Sequence, residues 1–428
     1  MKGDFSRKTF NKKKNFSGVY HQQGHVLLDS DFNEQQEITK HFLRTFIKDV
    51  IGPYGAPTKN AGFKITPSKN GYRIGAGHYY VDGILSVNEK EVQSFSQPNF
   101  PIKRRSANLE SPEDEGIYLV YLDVWERHIT CLDEPEIREV ALGQTDTCTR
   151  TKIIWQVKEQ RIKKRIRKKP KRCSRFFSVP LRISSGKMRA YATAPEVNGM
   201  ASPSSGYSGL ENRLYRVEIH KGGTTNSSEP PTFKWSNRNG VEAAKVSEIY
   251  SNTITIGYRQ DKSANFEKED WIEIIDDWHV LLGIPGSFVK ICEIEENKII
   301  FDLSTLLGES ISEDSFPRKY NPLIRKWNDK KTPIHKVIPS DDRHHFSLEN
   351  GIEIQFTEGT YISGDYWMIP VRTQVGVLWE KDGRKPKFKQ PDGIEHHYCP
   401  LALLKYQENQ YTLLSDCRKF FPALTDLV

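Results

Sequence analysis

The clearest periodic signal in the chain is helical. Ile38, Phe42 and Phe46 recur at i, i+4 and i+8, with Leu43, Ile47 and Val50 beside them, the spacing that gathers apolar side chains into one stripe of an α-helix. Asp31 followed by Glu34 resembles a capping box at the start, and Gly52-Pro53 stops the pattern. The spacing predicts an amphipathic helix over residues 32–51 that packs its stripe against the body of the protein. After it the period shortens to that of strands. Residues 72–74, 78–81 and 84–87 are brief strands broken by Gly75-Ala76-Gly77 and Asp82-Gly83, the latter a hairpin signal. Residues 117–125 and 151–157 are stronger strands. A second series runs through 214–219, 254–257, 271–275, 288–291, 298–303, 352–356, 366–372, 401–404 and 411–414, with turn spacing close to that of barrels and sandwiches. In 366–372, Tyr366, Met368 and Pro370 alternate with Trp367 and Ile369, which suits a strand buried on both faces.

These elements predict a mainly β chain with one N-terminal amphipathic helix (α+β), in which two β-rich domains are joined by a basic and Gly/Pro/Ser-rich insertion. The expected division is an extended docking arm at 1–30, the helix with a β domain at 31–157, the basic segment and linker at 158–208, and a C-terminal β-rich domain at 209–428.

Charge sharpens the picture. The chain carries 63 Lys and Arg against 55 Asp and Glu, a net +8. Residues 158–175 alone hold eleven Lys or Arg and one Glu, so the remainder of the chain is close to neutral. Such a block repels itself unless a partner neutralises it. Lys163, Lys164, Arg165, Arg167, Lys168 and Lys169 are its centre and the expected contact residues for an acidic protein surface or an anionic envelope component. No aromatic residue is interleaved there, so nucleic acid is not the expected partner. Aromatic residues make up 11% of the chain, too many for a disordered protein. No apolar run is long enough to span a bilayer, and no secretory leader pattern precedes the helix, so synthesis in the cytoplasm is expected. The six cysteines, Cys131, Cys148, Cys173, Cys292, Cys399 and Cys417, are scattered without zinc-ligand spacing and read as mostly buried thiols.

Catalytic chemistry is not signalled. There is no Walker loop and no G-x-S-x-G elbow. His344-His345 and His396-His397 are adjacent pairs, and neighbours on a strand face opposite ways, so each pair offers one ligand to a site. Asp29, Asp31, Asp276, Asp277 and Asp365 are ordinary in a chain so rich in acids. We expect no enzyme, cofactor or metal. Trp235, Trp271, Trp278, Trp327 and Trp379 would line a carbohydrate groove if exposed and fill a core if not. A receptor- or glycan-binding tail-fibre-like module is therefore the alternative, and a cell-envelope hydrolase a third reading.

Longer motifs are more specific. The chain opens Lys2-Gly3-Asp4-Phe5-Ser6-Arg7, continues through Phe16-Ser17-Gly18-Val19-Tyr20 and Gln22-Gln23-Gly24, and reaches Leu28-Asp29-Ser30-Asp31-Phe32-Asn33-Glu34. Later come Gly206-Tyr207-Ser208-Gly209-Leu210-Glu211-Asn212, Gly364-Asp365-Tyr366-Trp367 and Gly393-Ile394-Glu395-His396-His397-Tyr398. This set resembles an uncharacterised family of baseplate-associated proteins encoded with phage-tail-like extracellular contractile injection systems. Phe16, His25, Ser30 and Phe32 stand where that family has Tyr, Arg, Ala and Trp, and the basic segment is not a family feature. The resemblance implies a structural subunit at or around the baseplate, in multiple copies per particle. Its partners would be baseplate, sheath or spike neighbours, in a particle released outside the cell or held at a membrane. It also implies docking through the arm, for which Phe5, Phe16, Tyr20 and Leu28 are the anchors.

Overall fold

The computed structural model describes residues 1–69, 71–101, 115–143, 145–162, 173, 183–193, 196–197, 200–201, 206–257, 265–339 and 345–427. The chain is mainly β, with one long helix near the N-terminus, Asp29–Ile51, called α1. No helix among the described residues is long and apolar enough to cross a membrane.

The division differs from the one expected. The chain folds as two compact units, each assembled from separate stretches: Met1–Lys8, His128–Arg150 and Arg182–Ile394 form one, and Thr9–Arg127, Thr151–Leu181 and Glu395–Val428 the other. Residues 395–428 therefore belong with the helix rather than with the C-terminal β region. The physical reason is strand pairing. His396–Gln407 lies antiparallel along Gly116–Ile129, from His396 opposite Trp125 to Tyr406 opposite Gly116. Long-range pairing of this kind leaves no local mark in a sequence.

In the unit that contains α1, a four-stranded sheet runs in the order Gln410–Asp416, His396–Gln407, Gly116–Ile129, Arg150–Arg161. Its side chains Val120, Leu122, Val124, Trp155, Val157, Leu401 and Leu404 enter one core with Phe63, Ile74, Tyr79 and Val81. The Asp82-Gly83 turn is left-handed at both residues, φ 48° and 80°, as a two-residue hairpin turn requires. A Cβ on Gly83 would lie 2.5 Å from the Arg44 carbonyl oxygen, so the glycine also lets α1 approach the hairpin.

The other unit contains a closed six-stranded barrel, ordered Ala243–Tyr250, Thr253–Ile256, Lys298–Leu307, Ser287–Glu295, Trp271–Ile275, Leu323–Trp327. Ile254, Ile272, Ile274, Val289, Ile291, Ile299, Phe301 and Ile324 fill it. A five-stranded sheet centred on Arg213–Lys221, between Thr232–Ser236 and Tyr366–Arg372, packs a second core around Tyr215, Val217, Phe233, Trp235, Trp367 and Ile369. The 366–372 strand is buried on both faces, as its alternation implied: Trp367 and Ile369 enter that core, and Tyr366 and Met368 pack with Leu214 on the other side.

Cysteine usage departs from expectation. Cys173 and Cys417 are joined by a disulfide that closes 244 residues, while Cys131, Cys148, Cys292 and Cys399 are free. Leu119 and Leu403 pack around the bonded pair. The sheet brings the two sulfurs together, which spacing along the chain could not reveal.

Candidate docking surface

The helix is placed as expected but turned over. Of its predicted stripe only Ile38 is buried. Phe42, Leu43, Phe46 and Val50 are 53, 56, 66 and 59% exposed. The opposite, charged face is the one tied to the body. Lys40 and Arg44 bind Glu126 at 2.8 and 2.9 Å, and Lys48 reaches Asp82 at 3.3 Å. Burial alone would raise the Glu126 carboxyl, but the two cations hold it below the ordinary carboxylate value. The helix starts at Asp29, preceded by Leu28 with no side-chain cap bond. Asp29 and Asp31 thus stand in its first turn, where the dipole favours acids, and Asp31 is not the cap.

The arm divides at Lys8. Residues 1–8 clasp their own unit: Asn239 donates to the carbonyls of Met1 and Gly3 at 3.1 and 2.8 Å, Arg372 to that of Ser6 at 2.9 Å. Lys2 sits 2.9 Å from Glu218. Phe5 packs against Leu214, Tyr366 and Met368. Phe5 is therefore a core-edge residue, not a docking anchor; the apolar pocket that receives it belongs to the same chain. Residues 9–28 instead follow α1. Thr9 donates to the Ser30 carbonyl at 3.3 Å, the Val19 amide to Gln35 at 2.7 Å, and the His21 ring lies 4.7 Å from that of Phe32. Here Phe16, Tyr20, Val26, Leu27 and Leu28 are exposed. The three other predicted anchors are exposed, and so are Phe42, Leu43, Phe46 and Val50, which sequence reasoning assigned to the core. Periodicity finds a stripe but not the direction it faces. The surplus of Lys40, Arg44 and Lys48 on the other face was the available signal.

Covering what remains exposed of Phe42, Leu43, Phe46 and Val50 is worth roughly 4 kcal/mol, about 1 kcal/mol for each half-exposed side chain. Contiguous apolar surface of this kind marks an interaction site on a folded protein.

Several of the remaining candidates have partners within the chain. His396 and His397 each find a carboxylate, Asp123 at 2.7 Å and Asp82 at 3.0 Å. Burial would raise the Asp123 carboxyl, but the His396 bond and the Lys158 ammonium, 2.7 Å away, hold it down. Lys158 is thus a strand residue with an internal partner. The contact residues Lys163, Lys164, Arg165, Arg167, Lys168 and Lys169 lie outside the described residues, as does His344. His345 is 3.7 Å from Glu353. Among the described residues no cluster of three or more His, Cys, Asp or Glu could hold a metal. Trp235, Trp271, Trp327 and Trp379 are buried, and Trp278 is half-buried. Asp276 caps the short helix Asp277–Leu282 and bonds His279, whose other ring nitrogen faces Glu309 at 2.8 Å.

A second buried ionic cluster was not legible in the sequence. Glu273, fully buried, receives the Lys234 ammonium on its two oxygens at 2.7 and 2.6 Å and the Trp327 indole at 2.8 Å. Glu218 is shared by Lys2, Arg216 at 2.7 Å and Lys234 at 3.4 Å. Burial would raise both carboxyls, yet these cations hold them well below the ordinary value.

A family model described as a family of unknown function (DUF6519) matches residues 1–169 and 196–425. No curated protein and no solved structure matches the chain.

Proposed function

We propose that this chain, which belongs to the DUF6519 family of unknown function, is a structural subunit of a phage-tail-like contractile injection system, at or around the baseplate. It acts by protein–protein assembly and not by catalysis. One observation carries the assembly part of the reading. The only long helix among the described residues ties its charged face to the body and turns Phe42, Leu43, Phe46 and Val50 outward. A helix in a self-sufficient protein is stabilised by burying its apolar face, so this arrangement supports a partner that completes the packing. The particle itself is supported by the resemblance of the opening motifs and of the Gly206–Asn212, Gly364–Trp367 and Gly393–Tyr398 motifs. Phe16, Tyr20 and Leu28 extend the docking surface, and the basic segment at 163–169 supplies a separate, salt-sensitive contact with an acidic neighbour or an anionic envelope.

The test is recovery with particles. Tagged wild-type protein and a Phe42→Asp/Phe46→Asp variant are expressed in the native producer, and sedimented particles are probed for the tag. The reading expects wild-type protein in the particle fraction and the variant in the supernatant. Wild-type protein absent from purified particles overturns it.

A further inference from the structure

Independently of any assembly, we infer that residues 1–8 form a proton-sensitive clasp, held tightly on their own unit at alkaline pH and loosened as the pH falls. The attachment is local. Asn239 holds the Met1 and Gly3 carbonyls, Arg372 holds that of Ser6, and Phe5 closes over the edge of the His128 ring, centroids 5.9 Å apart. Beneath it cations outnumber acids. Lys2 reaches Glu218 at 2.9 Å, but that carboxylate already takes Arg216 at 2.7 Å and Lys234 at 3.4 Å. Lys234 is shared with Glu273, and Arg325 donates to the Gly240 carbonyl. Four cations thus gather on two carboxylates. Arg216, Lys234 and Arg325 are buried, so water screens little of their repulsion of the Lys2 charge.

The clasped form therefore favours a neutral Lys2 amine, which still donates to Glu218. Burial, with Arg325, Lys234 and Arg216, outweighs Glu218 and pushes the Lys2 pKa down to about 7. The Met1 amine, 2.6 Å from the Tyr366 hydroxyl, is pushed down by burial, Arg216 and Lys2 against Glu218 and Asp392. Under Phe5, the buried Nε2 of His128 has no hydrogen-bond partner among the described residues. Burial, the Met1 amine, Arg216 and Arg325 hold this ring at about 3 against Asp133. Each group binds its proton more weakly when clasped than when free. Linkage then sets the direction. Between about pH 10.5 and 7 released Lys2 carries a proton that clasped Lys2 lacks, so each pH unit lost raises the opening constant up to about tenfold. Below that both forms carry it and the Lys2 effect is complete. His128, once uncovered, adds the same dependence between about pH 6.5 and 3.

Quench-flow hydrogen exchange on the full-length protein, read by mass spectrometry, measures the opening. The quantity is the protection of amides 3–8 relative to a free peptide of the same sequence at the same pH. In the wild type it should fall by up to about tenfold per unit between about pH 9 and 7, while the barrel strand Ser287–Glu295 stays protected. Lys2→Met keeps the apolar stem without the titrating group and should abolish that fall. Lys2→Arg stays charged throughout and should give low protection that is flat over the same interval, a reading that holds even if Lys2→Met detaches the clasp. His128→Gln should remove the further fall between about pH 6 and 4. Wild-type protection independent of pH, or a slope that survives in Lys2→Arg, overturns the inference. So does loss of protection in Ser287–Glu295 that parallels the loss in residues 3–8, because the whole unit and not the clasp is then opening.

Discussion

Glu273→Gln should be among the most damaging single substitutions in the barrel unit. The carboxylate is fully buried, and Lys234, 3% exposed, places its ammonium within 2.7 Å of each oxygen. The substitution keeps the volume and removes the charge. Lys234 is then left with Glu218 at 3.4 Å, an acid already shared with Lys2 and Arg216. Removing one partner of a buried pair costs about 3–5 kcal/mol, because the other charge stays desolvated. With a urea dependence of about 3 kcal/mol/M, that moves the unfolding midpoint down by about 1–1.7 M. The double variant Lys234→Met/Glu273→Gln removes the two charges together. It should recover most of the loss, since well-packed apolar replacement of a buried pair is often neutral. Urea unfolding followed by tryptophan fluorescence reads all three proteins, because Trp327 donates to Glu273. A single variant as stable as wild type, or a double variant worse than the single, would refute the electrostatic account.

Three further outcomes are expected. Cys417→Ser opens a 244-residue closure and should cost about 2–5 kcal/mol in the unit that contains α1; non-reducing peptide mapping that finds both thiols free would contradict the bond. His128 has its pKa lowered to about 3, chiefly by burial, so the unfolded state takes up a proton from about pH 6.5 downward while the native state does not. Stability should therefore fall by up to about 1.4 kcal/mol per pH unit between about pH 6.5 and 3, and His128→Gln should remove that part of the slope. Phe5→Ala should lower the melting temperature of the barrel unit and Tyr20→Ala, 91% exposed, should not; equal effects in calorimetry would mean that the arm is not divided at Lys8.

Strands were legible where the burial pattern is local. Residues 271–275, 352–356 and 366–372 sit where alternation and apolar runs put them, and the Asp82-Gly83 turn falls on its sequence signal. What escaped depends on residues far apart in the chain. His396 opposite Trp125 sets the boundary of the units, and Cys173 with Cys417 sets the cross-link. Lys2 with Glu218 turns the opening motif into a clasp. The exposed apolar residues of the arm and helix were half legible. Phe16, Tyr20 and Leu28 stood out because an apolar residue in a polar, Gly-containing arm has no core of its own. Phe42 and Phe46 did not, since an amphipathic stripe looks the same whether it faces a core or a partner. Only the position of Glu126 beneath Lys40 and Arg44 tells the two apart.

The account rests most heavily on α1 presenting its apolar face to a neighbour. Site-specific incorporation of a photo-crosslinking residue at Phe46, and separately at Thr45 as an exposed polar control about 100° round the helix from it, tests this in intact particles by mass spectrometry of the cross-linked peptides. The account predicts abundant cross-links from position 46 to one subunit of the particle and few from position 45. Cross-links from position 46 that fall only within this chain, or equal yields from the two positions with no common target, would contradict it.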